Sequence, residues 1–320
     1  MIIKNKINFI KRFINFIRNK SIEEIIYKSK SIILNNFYKH YFFYFSTYSN
    51  NQIENIYLSL NRSKSISLLK DDLSNNKNFH IIIKKYLNHE FDFFGSGWIN
   101  YNLNIESFKL RFNHKNTYNK NYEKIKNQCC KLVNRSNISK SLKIIELLSS
   151  NYKLINWQID PKSGYRWSQK NWYKDIKYGN IKGTDIKFPW ELSRLQHLPQ
   201  LAIYRLLNLN SEINMQNIGI EICDQILDFI AFNPPRYGVN WSCTMDVAIR
   251  AVNIIITLEI LYISDFYLYK KTKDVIYRSL YEHGEFILGN LEWSNNRGNH
   301  YLSDICGLLF VITFFIYRII

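Results

Sequence analysis

One segment of the chain places a carboxylate, a guanidinium and an imidazole at a regular spacing. Glu191, Arg194 and His197 step by three residues just after Trp190, so a helix would bring the three side chains onto one face. Such a face can bind an anion through its arginine or transfer protons through its histidine. The same spacing is more often that of a structural Glu191–Arg194 ion pair.

A second segment repeats this arrangement on a more apolar pattern. Asp246, Arg250 and Asn253 stand at i, i+4 and i+7, which is again one helix face, and Asn240 and Trp241 lie just ahead of them in the turn after NPPRYG. The segment predicts either a polar binding face or a structural Asp246–Arg250 pair.

Asn299 and His300 form the third candidate group. They follow the glycine-containing turn SNNRG and open a long apolar run. An asparagine at that position is typical of a helix cap, and a lone histidine is more often a satisfied, partly buried side chain than a catalyst. Spacing alone therefore does not establish an enzyme.

These three segments need helices to position them, and the apolar periodicity supplies four. One is expected over residues 190–207 with a kink at Pro199, one over 242–263, one over 274–292, and one starting near Asn299. We find no alternation sustained enough to predict a sheet, so the predicted fold class is all-α.

Glycine, proline and tryptophan divide the chain into unequal parts. None of them occurs before Gly95, so residues 1–94 are predicted to be a basic, mostly helical N-terminal segment. Residues 95–320 are predicted to form the second domain, and its first part, about 95–190, should consist of ordered loops between short helices.

The chain is strongly basic, with 43 Lys and Arg against 26 Asp and Glu and a formal net charge of +17. This balance favours a polyanionic partner, although codon drift in an AT-rich genome would produce the same surplus. No basic-aromatic module supports nucleic-acid binding. The five cysteines show no zinc-like spacing, so reduced thiols and no metal or other cofactor are expected.

Two apolar segments bear on membrane contact. The N-terminus has no signal-peptide core, but it carries an apolar helical stripe beside Lys11, Arg12 and Arg18, which suits either a membrane-surface helix or packing within its own domain. Residues 305–317 are too short a run to span a bilayer and are predicted to form a buried helix. The N-terminal apolar stripe consists of Phe9, Ile10, Phe13, Ile14 and Ile17. A cytoplasmic or membrane-peripheral location is expected.

Three blocks together resemble the N-terminal half of the heparinase II/III family. They are FPWELSRLQHLPQLA, NPPRYGVNWSCTMDVAIRAVN and NRGNHYLSDICGLLF, and their order and separation match over roughly residues 90–320. The resemblance implies an incomplete toroid of antiparallel α/α helix pairs, without the β-sandwich domain that normally follows. It also implies β-elimination on uronic-acid glycans, and the family often works in the periplasm.

The resemblance also implies roles for individual residues. Asn299, with His300, matches the pair that neutralises the uronate carboxylate, so that charge can develop at C5. The two acidic positions, Glu191 and Asp246, would orient the basic groups. The positions expected to line a funnel and bind the anionic glycan are Trp190, Arg194, His197, Asn240, Trp241 and Arg250.

In the family a tyrosine some tens of residues after the asparagine acts as base and acid, and a further histidine comes from the β domain. Neither residue has a counterpart here. Tyr301 directly follows His300, but its spacing from Asn299 is wrong for the family's tyrosine. The chain alone is therefore expected to be incomplete or inactive, with the missing part on another chain. The acidic polysaccharide is the expected partner.

Two alternatives stay open. One is a non-catalytic glycan-binding or assembly protein of a surface polysaccharide pathway. The other is an α/α-toroid glycoside hydrolase that uses paired carboxylates among Asp160, Glu191 and Asp246, which would release reducing ends without an unsaturated product.

Overall fold

The computed structural model of the chain is mostly α-helical, as the sequence predicts. Internal contacts group Ile53–Arg318 as one compact unit, which contains the described residues up to Arg318. The predicted N-terminal apolar stripe lies outside the described residues. The described ranges are 70–74, 76–103, 120–209, 214–293 and 298–319.

A long irregular segment connects the helix ending at Ile145 to the helix beginning at Lys187, and two short strands pair antiparallel near the start of the described chain. The strands are β1, Glu90–Phe91, and β2, Ile99–Asn100. Short 3₁₀ turns cover Tyr173–Asp175 and Val239–Trp241. The helices are α1 (Lys77–Leu87), α2 (Lys120–Leu132), α3 (Ile138–Ile145), α4 (Lys187–Ser193), α5 (Leu198–Leu207), α6 (Met215–Phe232), α7 (Thr244–Ile263), α8 (Lys270–Gly289) and α9 (Asn299–Ile319).

Helices α5, α6, α7 and α8 build the centre of the unit. Helix α5 packs on both α6 and α7, and α8 also packs on both. The apolar stripe of each helix faces these neighbours, with Leu201, Ile226, Ile254 and Leu280 fully buried. Burying such side chains is the main favourable term holding the helices together, at roughly 1.5–3 kcal/mol each.

The predicted single helix over residues 190–207 is wrong, because the chain forms two helices there. Helix α4 ends at Ser193, Leu195 takes a left-handed backbone angle (φ 56°), and α5 starts at Leu198 with Pro199 in its first turn. Proline is tolerated at a helix start because its missing N–H would have no intrahelical partner there. Arg194 and His197 therefore do not share a helix face.

The other predicted helices agree closely with the structure. Helix α7 covers Thr244–Ile263 against the predicted 242–263, α8 begins four residues earlier than predicted, and α9 begins at Asn299. The turn before α7 depends on Gly238. Its φ is +81°, and an added Cβ would lie 3.1 Å from the Cα of Gln169, so the turn packs directly on the preceding loop region.

Helix α9 differs from the predicted buried helix. Its inner face holds Asp304, Gly307, Val311 and Phe314, while its outer face is apolar and exposed. By length and composition alone, Asn299–Ile316 is long and apolar enough to cross a membrane. The exposed apolar side chains are Leu302, Leu309, Phe310, Ile312 and Ile316.

Candidate functional site

Arg194 joins two of the three candidate segments. Its guanidinium donates to Glu191 within the same segment, and its Nε donates to Oδ1 of Asp246 on α7 at 2.6 Å. The Arg194 side chain keeps 20% of its surface exposed, whereas Asp246 is buried. The expected Glu191–Arg194 pair is present, and Asp246 pairs with Arg194 across two elements.

The i, i+4, i+7 face of α7 packs on the end of α4. Asp246 binds the Arg194 side chain, Arg250 Nη1 lies 3.3 Å from the Ser193 carbonyl oxygen, and Asn253 Nδ2 donates to the Arg194 carbonyl oxygen at 2.8 Å. The three polar side chains thus share one face, as their spacing predicts. Their common partner is the short segment that carries Arg194.

Arg250 is fully buried, with no solvent exposure. Its guanidinium stacks on Phe229, at 4.5 Å from the ring centroid. It donates to the Asn240 carbonyl oxygen at 3.1 Å and to His283 Nε2 at 2.9 Å. Burial lowers the pKa of Arg250 to about 9. Arg250 was predicted to line a funnel, but its N–H groups donate to acceptors inside the protein.

Asn240 and Trp241 are also buried and have internal partners. The Asn240 amide donates to the Trp157 carbonyl oxygen and to Asn233 Oδ1, both at 2.9 Å, and the Trp241 indole donates to the Asn233 carbonyl oxygen at 3.0 Å. These bonds fix the turn between α6 and α7. Neither side chain lies on an open surface. The structure therefore does not place them for the direct glycan contact that the sequence predicts.

His197 lies in the core. Only 2% of the residue is exposed, its Nε2 lies 2.7 Å from Gln225 Oε1, and its ring packs edge-on against Phe91. Burial lowers the pKa of His197 to about 4. Since Gln225 Oε1 can only accept, the neutral imidazole donates to it through Nε2–H. His197 supports the core and does not line an open funnel.

Trp190 is partly buried and lies beside an exposed tyrosine. Its indole nitrogen donates to the Val239 carbonyl oxygen at 3.0 Å, which ties α4 to the turn before α7. The Tyr178 ring meets the Trp190 ring edge-on at 5.7 Å, and Tyr178 is 55% exposed. An exposed tyrosine packed against a partly exposed tryptophan is the type of aromatic pair on which sugar rings pack.

Asn299 and His300 open α9, and both residues are exposed. His300 Nδ1 lies 2.5 Å from Oε2 of Glu292, and the other Glu292 oxygen accepts from the Thr244 backbone N–H at 3.0 Å. Glu292 therefore connects the start of α9 to the start of α7. Asn299, the first residue of a 21-residue helix, sits where the helix dipole favours an anion.

The polar side chains consequently form two hydrogen-bonded groups between three helix ends, and the backbone at the start of α7 joins the two groups. The first group runs from Glu191 through Arg194 to Asp246 on α7, and the second joins Glu292 to His300. Asp304 accepts from the Glu292 backbone N–H at 2.7 Å, and burial raises the pKa of Asp304 to about 7. The three sequence segments meet at these two groups, which together we call the inter-helix polar run.

Asp160, a carboxylate considered for hydrolysis, is buried in a turn. Its Oδ2 accepts from Ser163 Oγ at 2.6 Å and from the Asp185 N–H at 3.0 Å, while Oδ1 accepts from the Lys162 N–H at 3.0 Å. Both oxygens hold the loop together. This arrangement disfavours a role for Asp160 as a hydrolytic acid or base.

Sequence reasoning did not single out Glu292, Asp304 or Tyr178 as site residues. Asp304 stands four residues after His300 on the same helix, a spacing that could have identified it. Glu292 follows the end of α8 and Tyr178 lies in an irregular loop, so helical periodicity gives no signal for either.

Comparison of the chain with protein-family models, with curated proteins and with solved structures found no match.

Proposed function

We propose that this chain binds uronic-acid-containing acidic glycans in the manner of a heparinase II/III-like polysaccharide lyase, with Asn299 neutralising the uronate carboxylate. The observation that carries the proposal is the inter-helix polar run. Three segments that are far apart in sequence converge there, and they are the same three segments that resemble the family.

Asn299 has the position that this role requires. Its residue is exposed, so a carboxylate can reach the side-chain amide, and it begins a long helix whose positive end favours anions. A buried Asn299 amide would have excluded the role. Neutralising the carboxylate makes the C5 proton easier to remove, which an amide donor can promote by roughly 10²–10³ in rate.

Arg194 and the aromatic pair supply the remaining binding contacts in this proposal. Arg194 keeps part of its guanidinium surface open beside Glu191, and Tyr178 with Trp190 offers ring faces and edges to a sugar. Arg250 acts behind them by donating to the carbonyl oxygen of Ser193, next to Arg194, and Asn240, Trp241 and His197 hold the surrounding interior. The proposed architecture around the site is an α/α toroid of helix pairs.

In this proposal the chain binds the substrate and neutralises its carboxylate, which prepares the sugar for β-elimination. A non-catalytic glycan-binding protein is the second candidate, because the exposed Asn299 and the partly exposed Arg194 can bind a carboxylate without cleaving the glycan.

Incubation with alginate, polygalacturonate, chondroitin and heparan sulfate tests the proposal. We expect binding to at least one uronate polymer, and the lyase activity predicts ultraviolet absorbance from the new C4–C5 double bond. Asn299→Ala should lower affinity or rate by at least tenfold, and Asn299→Asp should lower it further because its charge repels the carboxylate. Asn151→Ala, at an exposed loop position, is the matched control.

Each outcome of this assay decides between the candidates. Binding without the unsaturated product supports the glycan-binding protein, and reducing ends without that product support a hydrolase. The uronate proposal fails if none of the polymers binds, or if Asn299→Ala and Asn151→Ala behave alike.

A further inference from the structure

A thiol, a carboxylate and an imidazole converge where α7, α8 and α9 meet. Cys243 directly precedes α7, Glu292 follows the end of α8, and His300 lies in the first turn of α9. The Cys243 Sγ, a Glu292 carboxylate oxygen and a His300 ring nitrogen all lie within 4.8 Å of one another. They come from three separate segments, so the tertiary fold and not local sequence brings them together.

We propose that Cys243, Glu292 and His300 form a binding site for a divalent transition-metal ion, with Zn²⁺ as the best-suited ion. This inference is independent of the proposed glycan binding. Zinc prefers sulfur and nitrogen ligands together with carboxylate oxygen, and three protein ligands leave a fourth position for water.

The surroundings of the three ligands are rich in negative charge. Asp304 is fully buried, accepts from the Glu292 N–H through one oxygen, and its other oxygen, Oδ1, has no hydrogen-bond partner among the described residues. Asp246, also fully buried, has one oxygen, Oδ2, in the same condition. Asp246 has Arg194 as its counter-charge, whereas the unpaired Asp304 oxygen is buried beside the Glu292 carboxylate, and a bound cation would offset the cost of that burial.

These neighbours also suit the second layer of a metal site. The carboxylate of Asp304 interacts electrostatically with both Glu292 and His300, and its bond to the Glu292 N–H fixes that ligand's backbone. Glu292 is further held by the Thr244 N–H at 3.0 Å. Such contacts orient ligand side chains before a metal arrives.

The geometry requires only a small closure. With bond lengths of about 2.0–2.3 Å, tetrahedral ligand atoms lie roughly 3.3–3.8 Å apart, so separations within 4.8 Å need to shrink by at most about 1–1.5 Å. The His300 side chain is 48% exposed and can make this movement. On binding, Zn²⁺ forms a bond to the Cys243 sulfur, the thiol proton leaves to solvent, and the metal replaces the direct His300–Glu292 contact.

Metal binding to the purified full chain, stripped with chelator, tests the site. Titration with Zn²⁺ against a chromogenic chelator should give one ion per chain at this site, and Co²⁺ should show a thiolate-to-cobalt charge-transfer band. His300→Gln should weaken Zn²⁺ binding by at least about tenfold, and Cys243→Ser should abolish the band. Cys306→Ser, which alters an exposed thiol on α9, is the matched control.

His300→Gln keeps the test decisive if Cys243→Ser fails to fold, because His300 is exposed. The proposal is overturned if the wild-type chain binds no Zn²⁺, or if His300→Gln binds it as tightly as wild type. It is also overturned if the cobalt band survives in Cys243→Ser or disappears in Cys306→Ser. The assay contains no glycan, so its failure leaves the uronate proposal untouched.

Discussion

At the scale of single residues, Arg250 is a charged side chain that stabilises the protein interior. It is a fully buried cation whose hydrogen bonds run to neutral acceptors: the carbonyl oxygen and hydroxyl of Ser193, the Asn240 carbonyl oxygen and His283 Nε2. Its ring contacts with Phe229 and Trp241 add cation–π attraction. The arginine therefore acts as a clamp that holds α4 and the turn before α7 against α7.

Replacing Arg250 by methionine should lower the free energy of unfolding by about 2–5 kcal/mol. The methionine fills part of the space but leaves the two carbonyl oxygens and the His283 nitrogen without their donor. Urea denaturation measures the change. Arg236→Met is the control, because Arg236 is partly exposed and pairs with Glu282 at 3.7 Å; it should cost under about 1 kcal/mol. An equal decrease in the free energy of unfolding for the two variants would contradict this stabilising role of Arg250.

The protonation of His283 follows from the same contacts. Its Nε2 accepts from Arg250, so the ring proton sits on Nδ1 and is donated to the Ser279 carbonyl oxygen at 2.6 Å. Burial, reinforced by the charge of Arg250, lowers the pKa of His283 from 6.5 to about 3. A second proton would place two cations in contact within the core.

Acid should therefore destabilise the protein through His283. Because its folded-state pKa lies below that of the unfolded chain, the unfolded chain takes the proton first, and this histidine's effect lowers stability as pH falls from about 6.5 to about 3. Ring-nitrogen NMR on labelled histidine should show a neutral His283 with its proton on Nδ1 at pH 5. Titration of His283 near its ordinary pKa would contradict this assignment.

At the scale of elements, α9 is positioned by two close helix contacts. An added Cβ at Gly307 would lie 2.6 Å from the Ala248 Cβ and 2.8 Å from the Ala248 Cα, so α9 lies directly on α7. Gly284 on α8 makes a similar close contact with Val311. The start of α9, which carries Asn299 and His300, is thereby held beside the start of α7.

Gly307→Ala should push α9 away from α7 and lower the free energy of unfolding by about 1–3 kcal/mol. The Ala248 backbone cannot move aside as a flexible side chain could. Cys306→Ala, one residue earlier at an exposed position, should change stability by less than about 0.5 kcal/mol. Thermal or urea unfolding of both variants checks the contrast, and a neutral Gly307→Ala would show that α9 is not held closely there.

The sequence predicted elements better than it predicted their environments. The bounds of α7 and the start of α9 follow from apolar periodicity and turn residues, which are local signals. The break at Leu195 was missed because Pro199 suits a helix start as well as a kink, and the left-handed turn has no glycine to mark it. That break is the reason why His197 is buried while Arg194 stays partly open.

The candidate site was predictable to a similar degree. The convergence of three segments was expected from their resemblance to one family, and the structure joins them through Arg194, Asp246 and Glu292. The burial of Asn240, Trp241 and Arg250 was not predictable, because polar residues on an apolar helix indicate equally a binding face or an internal network. Only tertiary contacts separate those cases.

At the scale of the whole molecule, the net charge of +17 contrasts with the local charge of the inter-helix polar run. Several carboxylates lie there, including Glu191, Asp246, Glu292 and Asp304. Long-range attraction would concentrate a polyanion at the protein surface, and the specific contacts at Arg194 and Asn299 would then select it. The two effects respond differently to salt.

Raising salt from about 50 to 200 mM should weaken binding of a uronate polymer by tenfold or more in both wild type and Asn299→Ala. The affinity ratio between the two proteins should stay nearly constant, because a short-range contact is screened less than the surface field. Fluorescence polarisation with a labelled oligouronate measures both quantities. A ratio that falls to one at 200 mM salt would mean that Asn299 contributes only general surface charge effects.

In the proposed function, the Asn299 amide donates to a sugar carboxylate. NMR of the side-chain amides in asparagine-labelled protein observes this contact directly, with Asn299→Ala providing the assignment. Addition of an oligouronate from the polymer that binds should shift the Asn299 resonance, and the same oligosaccharide with its carboxyl groups reduced to alcohols should not. An Asn299 signal that stays unchanged while other amides respond to the oligouronate would contradict the claim.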